Sequence, residues 1–280
     1  ITLKTGEKDK NIAFTNDPTK LTFKKVDTTG AGLPDAEFTL YDSGTEKAKA
    51  ASDKDGMVTF LYLDKGRTYT VKETKRPGDD YLLNSTEFKA VVDNDGTCTL
   101  KNNDETVTQV VNADAGVITL NKKGNYNGPL SGVTFELKNE AGEVIQTQIT
   151  GDNGQLVFAD VPMGSYTIVE TAAPDPYAVS ADVTKVTLSR GASQKVTVSR
   201  VNALSQVVFH KRGIITETCA GDPQHAPLEG AVYGLYKDPE CAAEPVYTAV
   251  SGNPGDGCKV VFTGVARGTW YVKEITAPQH

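Results

Sequence analysis

The chain has 280 residues and carries 29 lysines and arginines against 36 aspartates and glutamates, a formal net charge of -7. The two signs are interspersed, so the composition argues against nucleic-acid binding and against a charged tail. No apolar stretch approaches the roughly 20 residues of a membrane-spanning helix, and we expect no membrane insertion. The length suffices for two or three domains, which makes internal repetition the first property to test.

Nearly every segment alternates apolar and polar residues and is rich in Val, Thr, Phe and Tyr, which is typical of β-strands. Examples are AEFTLYD at 36–42, RTYTVKE at 67–73 and ETVTQVVN at 105–112. Helical periodicity is absent over any useful window. Many short strands separated by Gly, Asp, Asn and Pro predict antiparallel β-sandwiches.

One order of motifs occurs three times along the chain. In each copy a lysine closes a short apolar strand and a glutamate closes a later one. The lysines are Lys25, Lys122 and Lys211, and the glutamates are Glu73, Glu170 and Glu274. The first two lysine-to-glutamate intervals are 48 residues each and the third is 63. Repeats of this size are ordinary single domains.

The repeats predict the domain boundaries. They are a hairpin remnant of an upstream unit at 1–17, complete domains at 18–113 and 114–203, and a domain at 204–280 without its last strands. The joins between units are a few residues long, too short for independent tumbling, so we expect a stiff rod. The sequence begins inside an alternating stretch, and we expect it to be a fragment of a longer protein.

Strand alternation places the repeated charges inside the sandwiches. Lys25 shares a face with Leu21 and Phe23, and Glu73 shares one with Tyr69 and Val71. The same parity holds in the other two units. Charged residues are almost never fully buried unless they are paired, so three coincident inward positions require a chemical reason.

The first two units end in asparagine, as VVN at Asn112 and RVN at Asn202. Each unit also has a strand opening of the kind GLPDAEF, GPLSGVTF or APLEGAVY, and a glutamate box of the kind YTVKETKRP, YTIVETAAP or WYVKEITAP. This ordered set resembles the B-type (CnaB) repeats of the collagen-adhesin family, also found in SpaA-like pilins of Gram-positive bacteria. The resemblance covers essentially the whole chain. It implies an all-β fold of tandem immunoglobulin-like, prealbumin-like sandwiches.

In that family the lysine amine and the asparagine side chain join as an intramolecular isopeptide bond, assisted by the glutamate. The predicted sites are Lys25 with Glu73 and Asn112, and Lys122 with Glu170 and Asn202. Burial favours a neutral lysine, which is nucleophilic, and a protonated glutamate, which can relay protons. The alternative is a buried Lys–Glu ion pair that the asparagine only caps.

The last strand of the second unit departs from the pattern. Strict alternation from Val198 through Asn202 also turns Arg200 inward. A β-bulge in this strand would relieve that burial.

The third unit has Lys211 and Glu274 but no further strands, whereas residues 1–17 read as a hairpin that carries Ile12, Phe14 and Asn16 on one face. We therefore predict head-to-tail strand exchange, in which Asn16 of one molecule lies beside Lys211 and Glu274 of another. The alternative is that flanking residues complete each terminal unit within its own chain.

Three of the four cysteines fall in the third unit, which favours a disulfide in an oxidising compartment. No CxxC pair or histidine at ligand spacing supports zinc. We predict a Cys219–Cys258 disulfide, with Cys98 and Cys241 unpaired.

The acidic turns DKDG, GDNG and PGDG lack the calcium-loop pattern and predict tight hairpin turns. We expect neither a metal nor a cofactor.

These features predict a structural stalk or pilus-shaft segment of an extracellular, cell-wall anchored Gram-positive protein. Its partners would be neighbouring domains of the same protein or pilus. The alternative is an adhesive module that binds a host matrix ligand directly. No Ser/His/Asp set, metal cluster or Gly-rich phosphate loop supports an enzyme that acts on an external substrate. Neither LPxTG nor YPKN occurs, so shaft and stalk both remain open.

Overall fold

The computed structural model describes residues 5–6, 17–125, 128–215 and 224–278. The chain divides into two compact units, the first comprising residues up to 116 with the segments 159–163 and 189–194. The second comprises 117–158, 164–188 and 195–280. The described residues contain strands, turns and short 3-10 segments but no α-helix, and none of them forms a helix able to cross a membrane.

The first unit contains a sandwich of two sheets. Its strands are β1 (Lys20–Asp27), β2 (Glu37–Asp42), β3 (Thr45–Ala51), β4 (Met57–Leu61), β5 (Thr68–Lys75), β6 (Phe88–Val92), β7 (Cys98–Asn102), β8 (Glu105–Thr106) and β9 (Gln109–Asn112). One sheet has the order β4-β1-β9 and the other β3-β2-β5-β6-β7-β8. Phe23 and Phe38 from opposite sheets meet edge-to-face with centroids 5.0 Å apart. Burial of such side chains, worth about 1.5–3 kcal/mol each, holds the sheets together.

The second unit repeats this arrangement. Its strands are β10 (Ala115–Lys123, which begins in the first unit), β11 (Thr134–Lys138), β12 (Val144–Ile149), β13 (Gln155–Pro162), β14 (Gly164–Ala172), β15 (Val183–Leu188) and β16 (Lys195–Val201). The sheets have the orders β13-β10-β16 and β12-β11-β14-β15. Ile118, Leu120, Phe135, Phe158 and Ile168 are buried between them.

A third sandwich follows within the second unit. Its strands are β17 (Gln206–His210), β18 (Arg212–Ile215), β19 (Gln224–Pro227), β20 (Val232–Tyr236), β21 (Tyr247–Val250), β22 (Lys259–Thr263) and β23 (Tyr271–Thr276). β17 pairs with β22, β18 with β19, and the remaining sheet has the order β21-β20-β23. Leu235, Val260, Phe262 and Val265 form its core.

The all-β prediction is confirmed, and the first and last strands of each complete sandwich are parallel neighbours. β1 pairs with β9, and β10 pairs with β16. One strand prediction was wrong in detail: ETVTQVVN is interrupted at Val107–Thr108, so β8 pairs with β7 in one sheet while β9 joins the other. This break lets β9 cross to the sheet that contains β1, so Asn112 at the end of β9 lies beside β1.

Candidate cross-linking sites

The first site lies between β1, β5 and β9. Lys25 pairs with Val110 in the parallel ladder, and Asn112, two residues further on, points to the same face. Glu73 enters from β5 in the facing sheet. Lys25 is 0% exposed, Glu73 4% and Asn112 1%. The three side chains are therefore enclosed in the apolar core, as the sequence predicted.

The three polar groups of this site contact one another. Lys25 Nζ donates to Asn112 Oδ1 at 2.5 Å and to the Val110 carbonyl at 3.0 Å. Asn112 Nδ2 donates to Glu73 Oε1 at 2.8 Å, and Glu73 Oε2 lies 3.9 Å from Lys25 Nζ. The amine thus lies against the amide it would attack, while the carboxyl group holds the amide nitrogen that would leave.

Burial dominates the electrostatics of this pair. Desolvation lowers the pKa of Lys25 to about 8, against a smaller opposing effect of the Glu73 charge. Desolvation likewise raises the pKa of Glu73, with Lys25 and the hydrogen bonds from Asn112 and Asn84 opposing it. Both shifts increase the fraction of molecules with a neutral amine and a neutral acid. These are the forms that nucleophilic attack requires.

The second site has the same composition between β10, β14 and β16. Lys122 and Asn202 are 1% exposed and Glu170 is 5% exposed. Lys122 Nζ donates to Asn202 Oδ1, and Asn202 Nδ2 donates to Glu170 Oε1. Phe135 covers the amine, with its ring centroid 5.6 Å from Lys122 Nζ. The hydrogen bonds from lysine to asparagine and from asparagine to glutamate are the same as in the first site.

One contact of the second site differs. Lys122 Nζ lies 2.9 Å from Glu170 Oε2, a full ångström closer than in the first site. The angles do not make this contact a hydrogen bond, and Glu170 Oε2 accepts none from the described residues. The second site therefore brings the amine and the carboxyl group into direct contact, whereas the first keeps them 3.9 Å apart.

The third site holds a lysine and a glutamate but has a different environment. Lys211 Nζ donates to Glu274 Oε2 at 2.8 Å, and the Tyr233 hydroxyl donates to the same oxygen at 3.0 Å. The Lys211 and Glu274 side chains are 19% and 30% exposed. The hydrogen bond with Glu274 raises the pKa of Lys211, and that with Lys211 lowers the pKa of Glu274. This pair favours the ionised state, and no described asparagine reaches it.

A β-bulge at each glutamate was not predicted. Phe38 pairs with Glu73 and Glu37 with Lys75, so Thr74 is the extra residue. The same register shift occurs between strands β11 and β14 and between strands β20 and β23. A bulge bends its strand and redirects the neighbouring side chain. It sets each glutamate opposite an aromatic residue, namely Phe38, Phe135 or Tyr233.

Two backbone donors that sequence reasoning missed hold the glutamates. The Asn84 amide donates to Glu73 Oε2 at 3.0 Å, and the Ser180 amide donates to Glu170 Oε1 at 3.3 Å. Both lie in the segments that precede β6 and β15, about ten residues after the glutamate. No motif marks them, because any residue except proline supplies a backbone N–H.

The acidic turns support the lysine backbone, and Gly56 and Gly154 in two of them have positive φ. The carbonyl of Gly56 accepts the Lys25 amide at 2.7 Å, and that of Gly154 accepts the Lys122 amide at 2.6 Å. A Cβ at Gly56 would lie 2.3 Å from the Lys25 carbonyl oxygen, and one at Gly154 2.4 Å from that of Lys122. Only glycine permits so close an approach.

The register of the second site shows how Arg200 is accommodated. The β10–β16 ladder runs without a shift from Val117 to Lys123, so no bulge relieves Arg200. Arg200 instead keeps a side chain 24% exposed and lies 3.8 Å from Asp182. A long side chain can follow strict alternation and still carry its charge to solvent.

Several predicted residues cannot be placed. Asn16 and Cys219 lie outside the described residues, so strand exchange and the Cys219–Cys258 disulfide stay predictions. Among the described residues, Cys98, Cys241 and Cys258 form no disulfide with one another. Among the described residues, no group of three His, Cys, Asp or Glu side chains could hold a metal ion.

Comparison with known proteins identifies the domains. The SpaA family, a prealbumin-like fold domain, matches residues 19–106 and 116–202, together more than half of the chain. The chain belongs to this family. The second matched segment contains all three residues of its buried site, and the first contains Lys25 and Glu73 but ends before Asn112. Colossin-A of Dictyostelium discoideum is 32% identical over 155 residues, which cover 50% of this chain and 1% of Colossin-A.

Solved structures also resemble this SpaA-family chain. The Bacillus anthracis TIE protein is 19% identical with a TM-score of 0.38, covering 94% of this chain and 46% of TIE. BcpA, the major pilin subunit of Bacillus cereus, is 15% identical with a TM-score of 0.33, covering 68% of this chain and 100% of BcpA. A mutant of the shaft pilin SpaA from Lactobacillus rhamnosus GG is 16% identical with a TM-score of 0.35, covering 67% and 98%.

Proposed function

We propose that the chain is a structural segment, a stalk or pilus shaft, of an extracellular Gram-positive surface protein, and that it cross-links itself through two isopeptide bonds. The observation that carries this is the buried contact of lysine, glutamate and asparagine between the first and last strands of two sandwiches. Membership of the SpaA prealbumin-like family supports a structural role.

The reaction balances within the three side chains of each site. An ammonium with a carboxylate has the same number of protons as a neutral amine with a carboxylic acid, so one proton transfer from Lys25 to Glu73 produces the reactive state. The neutral Lys25 nitrogen then forms a bond to Cγ of Asn112, and the Glu73 acid gives its proton to the amide nitrogen. The old C–N bond breaks and ammonia leaves. The Glu73 carboxylate takes the surplus proton from the Lys25 nitrogen and is an acid again, as it was before the attack.

Positioning accounts for reaction without an external enzyme. The fold holds amine and amide in contact, which converts a bimolecular step into a unimolecular one with a high effective concentration. The apolar surroundings supply the neutral groups, and the hydrogen bond from Asn112 Nδ2 to Glu73 Oε1 directs the proton to the leaving nitrogen. Each site reacts once, so the chain consumes no external substrate.

The bond would tie together the two strands at which tension enters a sandwich. β1 and β9 are parallel neighbours, so pulling on opposite ends of the sandwich shears their ladder. A Lys25–Asn112 bond prevents that separation, and a Lys122–Asn202 bond does so between β10 and β16. Resistance to force and proteolysis follows, because neither ladder can open while the bond is intact.

Intact-mass spectrometry tests the proposal. The wild-type chain should weigh less than its sequence by two ammonia molecules, and Glu73→Ala or Glu170→Ala should each restore one. Lys25→Ala should also restore one, whereas Lys24→Ala, the matched control on the opposite face of β1, should restore none. A wild-type chain at its full sequence mass overturns the cross-links and leaves the buried ion-pair alternative. The directly adhesive alternative stays a hypothesis without a specific observation in its favour.

A further inference from the structure

The strand β12 (Val144–Ile149) is an unprotected sheet edge. It ends the order β12-β11-β14-β15, and within the described residues only β11 pairs with it. Its sequence VIQTQI contains no charge and no proline. Ile149 is 62% exposed, Val144 47% and Ile145 38%. An exposed, uncharged edge with apolar side chains is a template for strand addition, against which proteins usually place charges or prolines.

The equivalent strand of the first sandwich is protected. β3 also ends its sheet, and its sequence TEKAKAA carries Glu46, Lys47 and Lys49. Lys49 pairs with Thr39 as Thr147 pairs with Glu136, so the two residues occupy corresponding outward positions. The two edges thus share a position in the fold and differ in charge.

The sequence of β12 is symmetric about Thr147. Residues 145–149 read Ile-Gln-Thr-Gln-Ile. An antiparallel pairing with a second β12 about a two-fold axis at Thr147 places Ile145 opposite Ile149, Gln146 opposite Gln148, and Thr147 opposite itself. No charges face each other, and like side chains pair throughout. The ladder to β11 is regular from Gln146 to Ile149, and Ile145 is the extra residue of a β-bulge. The central Thr147–Thr147 and Gln146–Gln148 pairs therefore lie on undistorted strand, and the outer Ile145–Ile149 pairs begin at the bulge.

The same operation on β3 would be repulsive. A two-fold axis at Lys49, the position that corresponds to Thr147, places Lys49 of one copy opposite Lys49 of the other. Directly opposed like charges destabilise a strand pair. The two edges therefore differ in self-complementarity as well as in exposure.

We propose that β12 is a self-association surface, which pairs antiparallel with β12 of a second copy of this chain and joins two four-stranded sheets into one. The two-fold symmetry makes the contact close on itself, so it yields dimers rather than open fibres. Five residues of each strand pair, and they bury far less than the about 1,200–2,000 Å² of stable interfaces, so the dimer is weak and concentration-dependent. This proposal does not depend on the cross-links.

Cysteine placement tests the register. Thr147 is exposed and lies on the axis, so Thr147→Cys brings two Cα atoms to about 4.5–5.5 Å, within disulfide range. Ile149→Cys is the matched control, because its two copies lie about 13 Å apart along the strands. After mild oxidation, a non-reducing gel should show a dimer for Thr147→Cys beyond the level of the wild-type and Ile149→Cys chains. Equal cross-linking at both positions, or at neither, overturns the proposed pairing.

Charge at the axis gives an independent test. Thr147→Lys reproduces the residue of β3 at an exposed position, beside Glu136 on the neighbouring strand, and so leaves the fold intact. By analytical ultracentrifugation, it should weaken self-association by roughly fivefold, as one directly opposed like-charge pair does. Thr147→Val, which is neutral and β-branched, should not weaken it. A wild-type chain that stays monomeric to millimolar concentration, or equal association of both variants, overturns the proposal.

Discussion

The first and third sandwiches place the same two residue types at the same positions of the fold and give them opposite electrostatic behaviour. Lys25 and Glu73 have fully buried side chains, and burial lowers the pKa of the lysine to about 8 and raises that of the glutamate. Lys211 and Glu274 are partly exposed, and their hydrogen bond shifts both pKa values the other way. Burial, rather than residue identity, therefore sets the direction of the pKa shifts in the two pairs.

The environment of the amine explains the difference. In the first site, β9 covers β1 and supplies the Val110 carbonyl and the Asn112 side chain. In the third, no described strand covers the corresponding edge of β17, and the Tyr233 hydroxyl binds the carboxylate. Tyr233 stabilises the charged form of Glu274, which is the form that cannot donate a proton to an amide.

The largest expected effect is the loss of stability when a buried site cannot form its bond. Asn112→Ala removes the acceptor of a cross-link that spans 87 residues. In the chain-entropy model, such a closed loop contributes about 4–5 kcal/mol to the free energy of unfolding. Glu274→Ala in the third sandwich breaks only a partly exposed ion pair, worth under about 1 kcal/mol. Denaturant titration followed by circular dichroism measures the free energy of unfolding of Asn112→Ala and of the wild-type chain.

The third sandwich has its own probe for this comparison, because Trp270 is the single tryptophan of the chain. Its fluorescence reports the unfolding of that sandwich alone, so the Glu274→Ala transition can be separated from the others. If Asn112→Ala cost no more than Glu274→Ala, the first site would not be cross-linked and the contrast between the two sandwiches would fail.

The next largest effect is a pH dependence of the free energy of unfolding, which we expect only where the buried lysine has not reacted. In Glu73→Ala, Lys25 stays an amine and loses the neighbouring charge that raises its pKa, so its folded pKa falls below about 8 while its unfolded value is 10.5. Between these values the unfolded state binds more protons, and the free energy of unfolding rises with pH by roughly 3 kcal/mol. Urea titrations from pH 7 to pH 11 measure this slope.

The wild-type chain is the control for that slope, since a cross-linked Lys25 has no amine to titrate. The two proteins should differ only in the window between the folded and unfolded pKa values. Parallel curves for wild type and Glu73→Ala would show that Lys25 is not held in an apolar environment.

Much of each buried site could be predicted from the sequence, because strand parity fixes which side chains point inward. Lys25 and Glu73 follow apolar residues at two-residue spacing, and Asn112 ends a strand whose parallel neighbour is β1. The tight turns could be predicted for a different reason, because Asp-Gly and Asn-Gly pairs mark them. Gly56 and Gly154 in these turns have positive φ. Strand alternation and turn residues therefore predict the features that depend only on local backbone geometry.

The remaining features depend on contacts that the sequence does not encode locally. Thr74 reads as an ordinary strand residue, yet it is the extra residue of a bulge that pairing with β2 creates. The Asn84 amide reaches Glu73 through loop geometry. The exposure of Lys211 could not be inferred either, because its parity equals that of Lys25 and only the neighbouring strands distinguish the two.

The smallest expected effect comes from making the third site resemble the others at a single atom. Tyr233 stands opposite Glu274 as Phe38 stands opposite Glu73, so Tyr233→Phe removes the hydroxyl and keeps the ring. In the wild-type chain the hydrogen bond from the Tyr233 hydroxyl lowers the pKa of Glu274. Its removal should therefore raise that pKa toward the ordinary glutamate value. Because the Lys211 contact remains and the site is partly exposed, the stability change should stay below about 1 kcal/mol. A carboxyl titration by NMR that left the Glu274 pKa unchanged would show that Tyr233 does not hold this pair in its ionised state, and the difference from the buried sites would then rest on exposure alone.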